Sequence, residues 1–256
     1  MSLFTPFSFL KQEVAAPAPP PSWTPADLGG LQEWWNTGAG LSISAGAVQS
    51  WTGQENSTVL TKNTGTGLTY TAADSDVNNR PTIAQNASRN LATLENNSIT
   101  SFTPTTERYI GFIGFTGDTS ISDWRIMGGN TTTGGTSSEI AMFQSNPGNP
   151  NTAGAYFFTG GAKTGPGTST NELFWFVVQV NSAGTGGNFY YNNTNPTSFT
   201  GVSVTDLSPY CIEVGGYDNS SGFNWDGKVM EVFVCNGTIT SGDLSDLDSY
   251  VTDYYS

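Results

Sequence analysis

The sequence predicts an all-β fold, a two-sheet antiparallel sandwich that ends in one short helix. The 256-residue chain contains 31 glycines and only 11% charged residues, which is typical of many short strands joined by turns. Residues 109–115 and 173–178 are almost continuously apolar, and such runs indicate central strands that are buried on both faces. Beyond residue 240 the apolar spacing changes from two residues to three or four, which predicts a helix.

The chain is predicted to divide into an extended N-terminal arm, residues 1–22, and a single domain, residues 23–256. The arm begins with an apolar peptide and continues with a proline-rich stretch at residues 15–21, which predicts an extended spacer. Aromatic side chains held away from a domain are costly to leave in water. We therefore expect the arm to anchor the chain on a partner protein, and folding back onto its own domain is the alternative. The residues expected to make this contact are Leu3, Phe4, Phe7, Phe9 and Leu10.

The middle of the domain consists of candidate strands separated by turns rich in glycine, asparagine and proline. No internal repeat of fixed period is present, so a solenoid or a propeller is not expected. The candidate strands are residues 59–61, 68–71, 82–84, 99–102, 108–115, 124–128, 140–144, 155–159, 172–181 and 188–192.

The last two predicted strands, residues 211–214 and a strand that ends at Cys235, are interpreted as a hairpin. In that hairpin Cys211 faces Cys235, and directly opposed Cβ atoms lie within about 4.5–5.5 Å. A cross-strand disulfide is then geometrically feasible. The alternative is that both cysteines are reduced, small apolar residues of a protein made in a cytoplasm. The sequence leaves both readings open.

The C-terminal segment is predicted to be an amphipathic helix. Thr240, followed three residues later by Asp243, can form a capping box at its start, although aspartate is shorter than the usual glutamate or glutamine. The residues that share the apolar face are Leu244, Leu247, Val251 and Tyr254.

Composition excludes several classes of function. The formal net charge is −13 and the eight lysines and arginines are scattered, whereas nucleic-acid binding needs them clustered. The chain has no histidine, which removes the commonest general base and most transition-metal sites. We therefore expect a non-enzymatic protein without a cofactor. A calcium site made by Asp218, Asn219 and Asp226 is a weaker alternative, because loop aspartates and asparagines usually set turns.

Membrane insertion is not expected either. No apolar stretch approaches the roughly 18 residues of a transmembrane helix. The N-terminal apolar run is short and has no basic region before it, so it does not resemble a signal peptide. We expect synthesis in a host cytoplasm without a signal peptide.

Exposed aromatic rings flanked by asparagine, aspartate or glutamine indicate a carbohydrate-binding surface. The best such cluster falls on the proposed hairpin loop and consists of Tyr217, Asn219, Asn224 and Trp225. The alternative for each ring is a place in the core. Weaker candidates are Trp51 with Gln54 and Asn56, Trp124 with Asp123, and Tyr190 and Tyr191 with Asn192.

Residues 23–256 resemble the concanavalin A-like, LamG-type jelly-roll modules. The family's last strand has the pattern Gly-x-Ile-x-Glu-Val-x-Val, followed by an asparagine turn and a helix that ends in tyrosine. Further similarities lie in residues 23–35, 48–53, 80–83 and 189–193. Thr52 stands where the family has aspartate, which weakens the transfer of a calcium site. The matching positions of the last strand and helix are Gly227, Val229, Glu231, Val232, Val234, Asn236, Leu244 and Tyr250 or Tyr254.

The arm resembles short N-terminal anchors of virion surface proteins from tailed bacteriophages, through residues 4–9 and the proline spacer. This resemblance implies a structural protein of the virion surface, of the capsid-decoration or head-fibre type. The arm would then bind a capsid or other virion protein, and the chain would be a homo-oligomer or lattice-bound. The alternative function is a carbohydrate-binding adhesin or tail-fibre receptor-recognition module that binds cell-surface glycans.

Overall fold

The computed structural model describes residues 21–62, 67–85, 94–103, 105–117, 124–129, 140–143, 152–157, 160–204, 210–215 and 227–256. Within these ranges the chain is an antiparallel β-sandwich with a single α-helix at its C-terminus, as the sequence predicts. Residues 1–20 lie outside the described part, and with them the anchoring residues predicted for the arm. No helix in the described ranges is long and apolar enough to cross a membrane.

Within the described ranges the elements along the chain are seventeen strands, two short 3₁₀ helices at Pro25–Asp27 and Ser75–Val77, and one α-helix. Their bounds are β1 Leu31–Asn36, β2 Leu41–Ser44, β3 Ala47–Thr52, β4 Val59–Lys62, β5 Thr69–Asp74, β6 Arg80–Ala84, β7 Leu94–Ile99, β8 Arg108–Thr116, β9 Trp124–Gly129, β10 Ile140–Phe143, β11 Thr152–Phe157, β12 Gly161–Gly167, β13 Leu173–Val180, β14 Gly186–Tyr191, β15 Thr197–Thr200, β16 Tyr210–Val214, β17 Gly227–Asn236 and α1 Ser241–Tyr255.

Strand pairing defines two sheets. The back sheet has the order β1–β17–β8–β13–β14–β15. β6 pairs with the beginning of β17, and β1 pairs with the remainder of that strand. The front sheet has the order β2–β3–β4–β7–β16–β9–β10–β11–β12. β5 pairs with both β3 and β6 and so connects the two sheets. This is the two-layer architecture that the sequence predicts, because each sheet buries one apolar face against the other.

The main core lies between the sheets and is largely aromatic. Phe112 of β8 packs edge-on against Phe174 of β13, with ring centroids 5.1 Å apart. Trp35 of β1 and Trp51 of β3 reach the same core and are fully buried. Such rings supply a large apolar area where aliphatic residues are few.

A second core lies on the other face of the back sheet, beneath α1. Tyr109, Trp175 and Phe233 project from the sheet and meet Leu244 and Leu247 of the helix. Strands β8, β13 and β17 are therefore buried on both faces. This confirms the interpretation of the continuous apolar runs, and it adds a cause: one face meets the other sheet and the opposite face meets the helix.

Helix α1 begins and ends through specific side-chain contacts. Thr240 accepts a hydrogen bond from the Asp243 N–H at 3.1 Å, and the Asp243 carboxylate accepts one from the Thr240 N–H at 3.0 Å, so the predicted capping box is confirmed. The last turn contains no basic residue of its own. Arg80 of β6 supplies the cation instead, because its Nε donates to the Tyr254 carbonyl at 3.2 Å and its guanidinium lies 3.7 Å from the Tyr254 ring centroid.

The predicted hairpin of the last two strands is wrong. β16 pairs with β7 and β9 in the front sheet, whereas β17 pairs with β1 and β8 in the back sheet. Cys211 lies opposite Gly129 and Cys235 opposite Tyr109, so the two cysteines do not face each other; both are buried and neither is in a disulfide. The geometric argument for a Cys211–Cys235 disulfide fails for this reason. Each strand pairs with partners distant in sequence rather than with its neighbour along the chain.

Candidate functional site

The best site predicted from the sequence, formed by Tyr217, Asn219, Asn224 and Trp225, lies outside the described residues, as does the calcium alternative. Its flanking strands are described. β16 lies in the front sheet and β17 lies in the back sheet, so these two strands do not form a hairpin. The cluster stays a prediction.

Three of the weaker aromatic candidates are core residues. Trp51 is fully buried and its Nε1 donates to the Asn36 carbonyl at 3.0 Å. Tyr190 is 7% exposed and Tyr191 is 6% exposed, so neither ring can serve as a binding platform. The amide of Asn192 is also occupied, because its Oδ1 accepts the Trp175 N–H at 2.8 Å. The side chain of Trp124 lies outside the described part.

A cleft lies between the start of the domain and helix α1. One wall is the segment Pro21–Trp23, and the other wall is formed by the outward side of the helix. The Trp23 and Tyr250 rings meet in an edge-to-face arrangement, with centroids 5.9 Å apart and an interplanar angle of 64°. The helix contributes residues at three- and four-residue spacing, which places them on one face; these are Asp246, Ser249, Tyr250 and Asp253.

Local structure positions both walls. Directly after Trp23, Thr24 caps the first 3₁₀ helix: its hydroxyl accepts from the Ala26 N–H, and its own N–H donates to Asp27 at 2.9 Å. This reciprocal cap fixes the direction in which the chain enters the domain. On the other wall, Trp175 Nε1 donates to Asp248 at 2.9 Å and ties the helix to the back sheet.

The chemistry of the cleft is aromatic and acidic. Trp23 is half-buried and presents apolar ring surface, while Asp246 and Asp253 are exposed carboxylates that accept hydrogen bonds. Ser249 contributes a hydroxyl, which donates to the Ser245 carbonyl at 3.0 Å and retains acceptor capacity. None of the described lining residues carries a positive charge. Such a combination suits a ligand with an apolar face and several hydroxyl donors.

Beneath the cleft, the Tyr250 hydroxyl reaches a buried carboxylate. Glu231 of β17 is 0% exposed and accepts hydrogen bonds from Trp34 Nε1 at 2.7 Å, from Asn36 Nδ2 at 3.0 Å, and from the hydroxyls of Tyr250 and Tyr255. A β-bulge between Val229 and Glu231 turns this carboxylate toward the helix. Burial raises the pKa of Glu231 to about 7, against the lowering effect of the hydrogen bonds from Tyr250, Tyr255 and Trp34.

A second buried carboxylate organises the loop that follows β3. Glu33 is 0% exposed, and its two oxygens accept backbone N–H groups of Glu55 at 2.8 Å, Asn56 at 3.2 Å and Thr58 at 2.8 Å. Gly53 lies against this carboxylate, where a Cβ atom would overlap it. The side chain therefore substitutes for secondary structure by satisfying the backbone of an irregular segment.

The cleft and both buried carboxylates were not predicted from the sequence. A signal for Glu231 was present, since a glutamate between Met230 and Val232 interrupts an apolar strand, and a charged residue at a core position needs partners. Its partners lie on elements remote in sequence. Trp23 carried no local signal that distinguished it from a core tryptophan.

No protein-family model matches the sequence, and no curated protein matches it. Solved structures do show the fold. Domain 4 of AbnA, a GH43 extracellular arabinanase from Geobacillus stearothermophilus, in complex with arabinotriose, aligns with a TM-score of 0.56 at 12% identity over 87% of this chain and 100% of that one. The botulinum neurotoxin type G receptor binding domain aligns with a TM-score of 0.55 at 9% identity over 86% of this chain and 51% of that one. A Trypanosoma rangeli sialidase aligns with a TM-score of 0.51 at 10% identity over 86% of this chain.

These similarities show the fold alone, an antiparallel β-sandwich, which confirms the fold class predicted from the sequence. The chain spans about half of the neurotoxin chain and 33% of the sialidase chain that it matches. It spans the whole of the arabinanase domain, whose structure contains arabinotriose.

Proposed function

We propose that this protein is a non-catalytic carbohydrate-binding module that holds a neutral oligosaccharide in the cleft between Trp23 and helix α1. The observation that carries the proposal is the meeting of an aromatic ring, two exposed carboxylates and a hydroxyl in one cleft. A sugar ring has an apolar face that packs on an aromatic ring, and its hydroxyl groups donate to carboxylates. The alternative function predicted from the sequence is thereby favoured over a purely structural role.

The charge of the site selects the ligand class. Asp246 and Asp253 make the cleft negative, and the whole chain has a formal charge of −13. Like charges repel across a few ångströms even in high dielectric. Sialylated glycans and uronic acid polymers should therefore bind more weakly than neutral sugars of the same size.

The comparisons support the class of ligand without defining it. The arabinanase domain carries arabinotriose, a neutral trisaccharide, on a sandwich that this chain matches over that domain's full length. At 12% identity the similarity is one of fold. The position of the site and the identity of the sugar therefore rest on the cleft of this chain.

The arrangement of acids favours binding over hydrolysis. Asp246 and Asp253 lie on the same wall, seven residues apart on one helix, which separates them by about 10.5 Å along its axis. The acids of glycosidases flank the scissile bond from opposite sides at about 5–9.5 Å. The chain contains no histidine, so the commonest general base of enzymes is also missing.

The virion role predicted from the arm is a separate proposal. Its support is the apolar peptide and the proline spacer of residues 1–22 together with the sequence resemblance. A virion surface protein, bound to a capsid or lattice, can also bind glycans. Deleting residues 1–22 tests this role: loss of particle incorporation with a folded domain supports it, and unchanged incorporation refutes it.

A glycan array followed by titration calorimetry tests the binding proposal. We expect neutral oligosaccharides to bind, and Trp23→Ala to weaken binding at least about tenfold, the order expected when an aromatic anchor is removed. Asp246→Asn should weaken binding less and should raise the relative affinity for sialylated sugars. Thr252→Ala, an exposed change on the same helix, is the matched control.

The competing site is tested by Trp225→Ala in the same assay. Loss of binding in Trp225→Ala with normal binding in Trp23→Ala would move the site to the loop predicted from the sequence. Absence of binding to every glycan, with the domain folded, would contradict the proposal itself.

A further inference from the structure

Helix α1 is attached to the back sheet through one fully buried carboxylate. Glu231 Oε1 accepts both the Tyr250 and the Tyr255 hydroxyl of the helix, as well as Asn36 Nδ2 of β1. Its Oε2 accepts Trp34 Nε1 of the same strand. The carboxylate therefore joins β17, β1 and α1, and one of its donors, Tyr250, is also a wall of the cleft.

We propose that Glu231 is a pH-responsive latch whose protonation state sets how tightly α1 is held on the back sheet, and thereby regulates the cleft proposed above as the carbohydrate site. The link to the cleft rests on that proposed function. The latch itself does not, because it can be measured on the helix without any ligand.

The hydrogen bonds determine where the proton can go. Trp34 Nε1 is a donor only, so a proton on Oε2 would find no acceptor there, whereas the two tyrosine hydroxyls on Oε1 can each accept a hydrogen bond. The proton therefore occupies Oε1 and is donated to a tyrosine hydroxyl, Tyr250 or Tyr255, which changes from donor to acceptor. The neutral carboxyl is thus fully satisfied in the folded protein, with the hydrogen-bond direction reversed at the helix.

The ionised form has four donors but faces no cation among the described residues. The titratable groups that face it are Tyr250 and Tyr255 of α1. Burial raises the pKa of both hydroxyls, and the nearby negative charge of Glu231 raises it further. β1 contributes only Trp34 and the cross-strand partner Asn36, and the partner on β8 is apolar, Ile113. The cations of the neighbourhood are engaged elsewhere, because Lys228 pairs with Asp74 and Asp76, and Arg80 stacks on Tyr254.

Burial is the largest cause of the raised pKa of Glu231, about 7 against an ordinary 4.5. A carboxyl whose pKa is higher in the folded state stabilises that state fully below about pH 4.5, and this contribution is lost as the pH rises through about 7. The helix should therefore be held most tightly in mild acid and loosen toward neutral and alkaline pH. The pair of pKa values corresponds to a change on the order of 100-fold in the docking equilibrium between pH 5 and pH 8.

Hydrogen–deuterium exchange of the full chain tests the latch. After correction for intrinsic exchange, the protection of α1 amides should fall on the order of 100-fold between pH 5 and pH 8. Glu231→Gln should remove this pH dependence, while Glu55→Gln, which changes an exposed acid in the loop that follows β3, should retain it. Tyr255→Phe removes one donor to the carboxylate, so it should move the midpoint to higher pH, and this variant tests the latch independently of whether Glu231→Gln folds.

Protection that is independent of pH in the native chain, or a midpoint that Tyr255→Phe leaves unchanged, would overturn the latch. The link to the cleft is tested by measuring the affinity for a neutral oligosaccharide at pH 5 and at pH 8. An affinity that changes with pH in the native chain but not in Glu231→Gln supports the link. Equal affinities of the native chain at the two pH values overturn it. If no sugar binds at either pH while the helix protection follows the expected profile, the latch stands and the proposed function fails.

Discussion

Replacing Glu33 by glutamine should destabilise the domain strongly although the two side chains have nearly the same shape. The carboxylate accepts backbone N–H groups on both oxygens, with Glu55 and Asn56 on Oε1 and Thr58 on Oε2. Glutamine retains one acceptor oxygen and replaces the other with an NH₂ donor. In either orientation a donor then faces at least one backbone N–H.

The size of the destabilisation can be worked out from the hydrogen bond that the Thr58 N–H donates to Glu33 Oε2. With the amide nitrogen at the Oε2 position, the buried Thr58 N–H loses a 2.8 Å charge-assisted hydrogen bond. Hydrogen bonds to charged groups contribute about 1.5–3 kcal/mol, and a buried donor left without a partner adds a desolvation cost. We therefore expect a loss of about 3 kcal/mol in the free energy of unfolding. For a domain of this size that corresponds to a fall of roughly 6–12 °C in Tm.

Urea unfolding followed by tryptophan fluorescence measures this change. Glu55→Gln is the matched control, because that side chain is exposed in the same loop and loses the same formal charge. If the Glu33 carboxylate holds the loop, the free energies of unfolding of the two variants should differ by more than about 1 kcal/mol, with unchanged m-values. Equal stabilities would show that the Glu33 carboxylate does not organise the loop.

Three further predictions concern the back sheet and its helix. Gly111→Ala should cost about 1–3 kcal/mol in urea unfolding, because a Cβ there overlaps the aromatic ring opposite it on β17, whereas Gly29→Ala meets no atom and should be neutral. Arg80→Ala should increase amide exchange in the last turn of α1 specifically, and equal exchange along the whole helix would contradict its capping role. Burial acts to raise the pKa of Asp74, but hydrogen bonds, led by that from Lys228, lower it below its ordinary value. The Asp74–Lys228 pair should thus contribute about 1 kcal/mol to the free energy of unfolding at neutral pH, and this contribution is lost as the pH falls below about 4. The difference in stability between the native chain and Lys228→Met should therefore disappear in acid.

The elements that could be predicted from the sequence are those whose causes are local. The capping box of α1 needs only Thr240 and Asp243 at the right spacing. The period of the helix placed Leu244, Leu247 and Val251 correctly on the buried face, but Tyr254 is only half-buried, and Tyr250 and Tyr255 are the buried tyrosines. The two continuous apolar runs became β8 and β13 because a strand buried on both faces admits few polar residues. β12, Gly161–Gly167, was not predicted, because its glycines and proline indicate turns; it is tolerated as a strand that pairs with β11.

The errors share a cause in non-local pairing. β16 and β17 were interpreted as a hairpin because they are neighbours along the chain, but they belong to different sheets. Whether an aromatic ring is exposed to solvent also depends on contacts with residues distant in sequence. Trp51 and Tyr191 carry polar neighbours in sequence that resemble a binding surface, yet both rings lie in the core between the sheets.

The amino-acid sequence by itself determined the class of fold and the existence and start of the single helix, because periodicity, turn residues and capping depend on residues a few positions apart. Only the tertiary structure decided which strands pair, which aromatic rings are buried, and that Trp23 meets Tyr250 in a cleft. It also brought Trp34, Asn36, Tyr250 and Tyr255 around the buried Glu231. These contacts join residues up to about two hundred positions apart, and the free energy that selects them comes from burying whole faces, which no short stretch of sequence encodes.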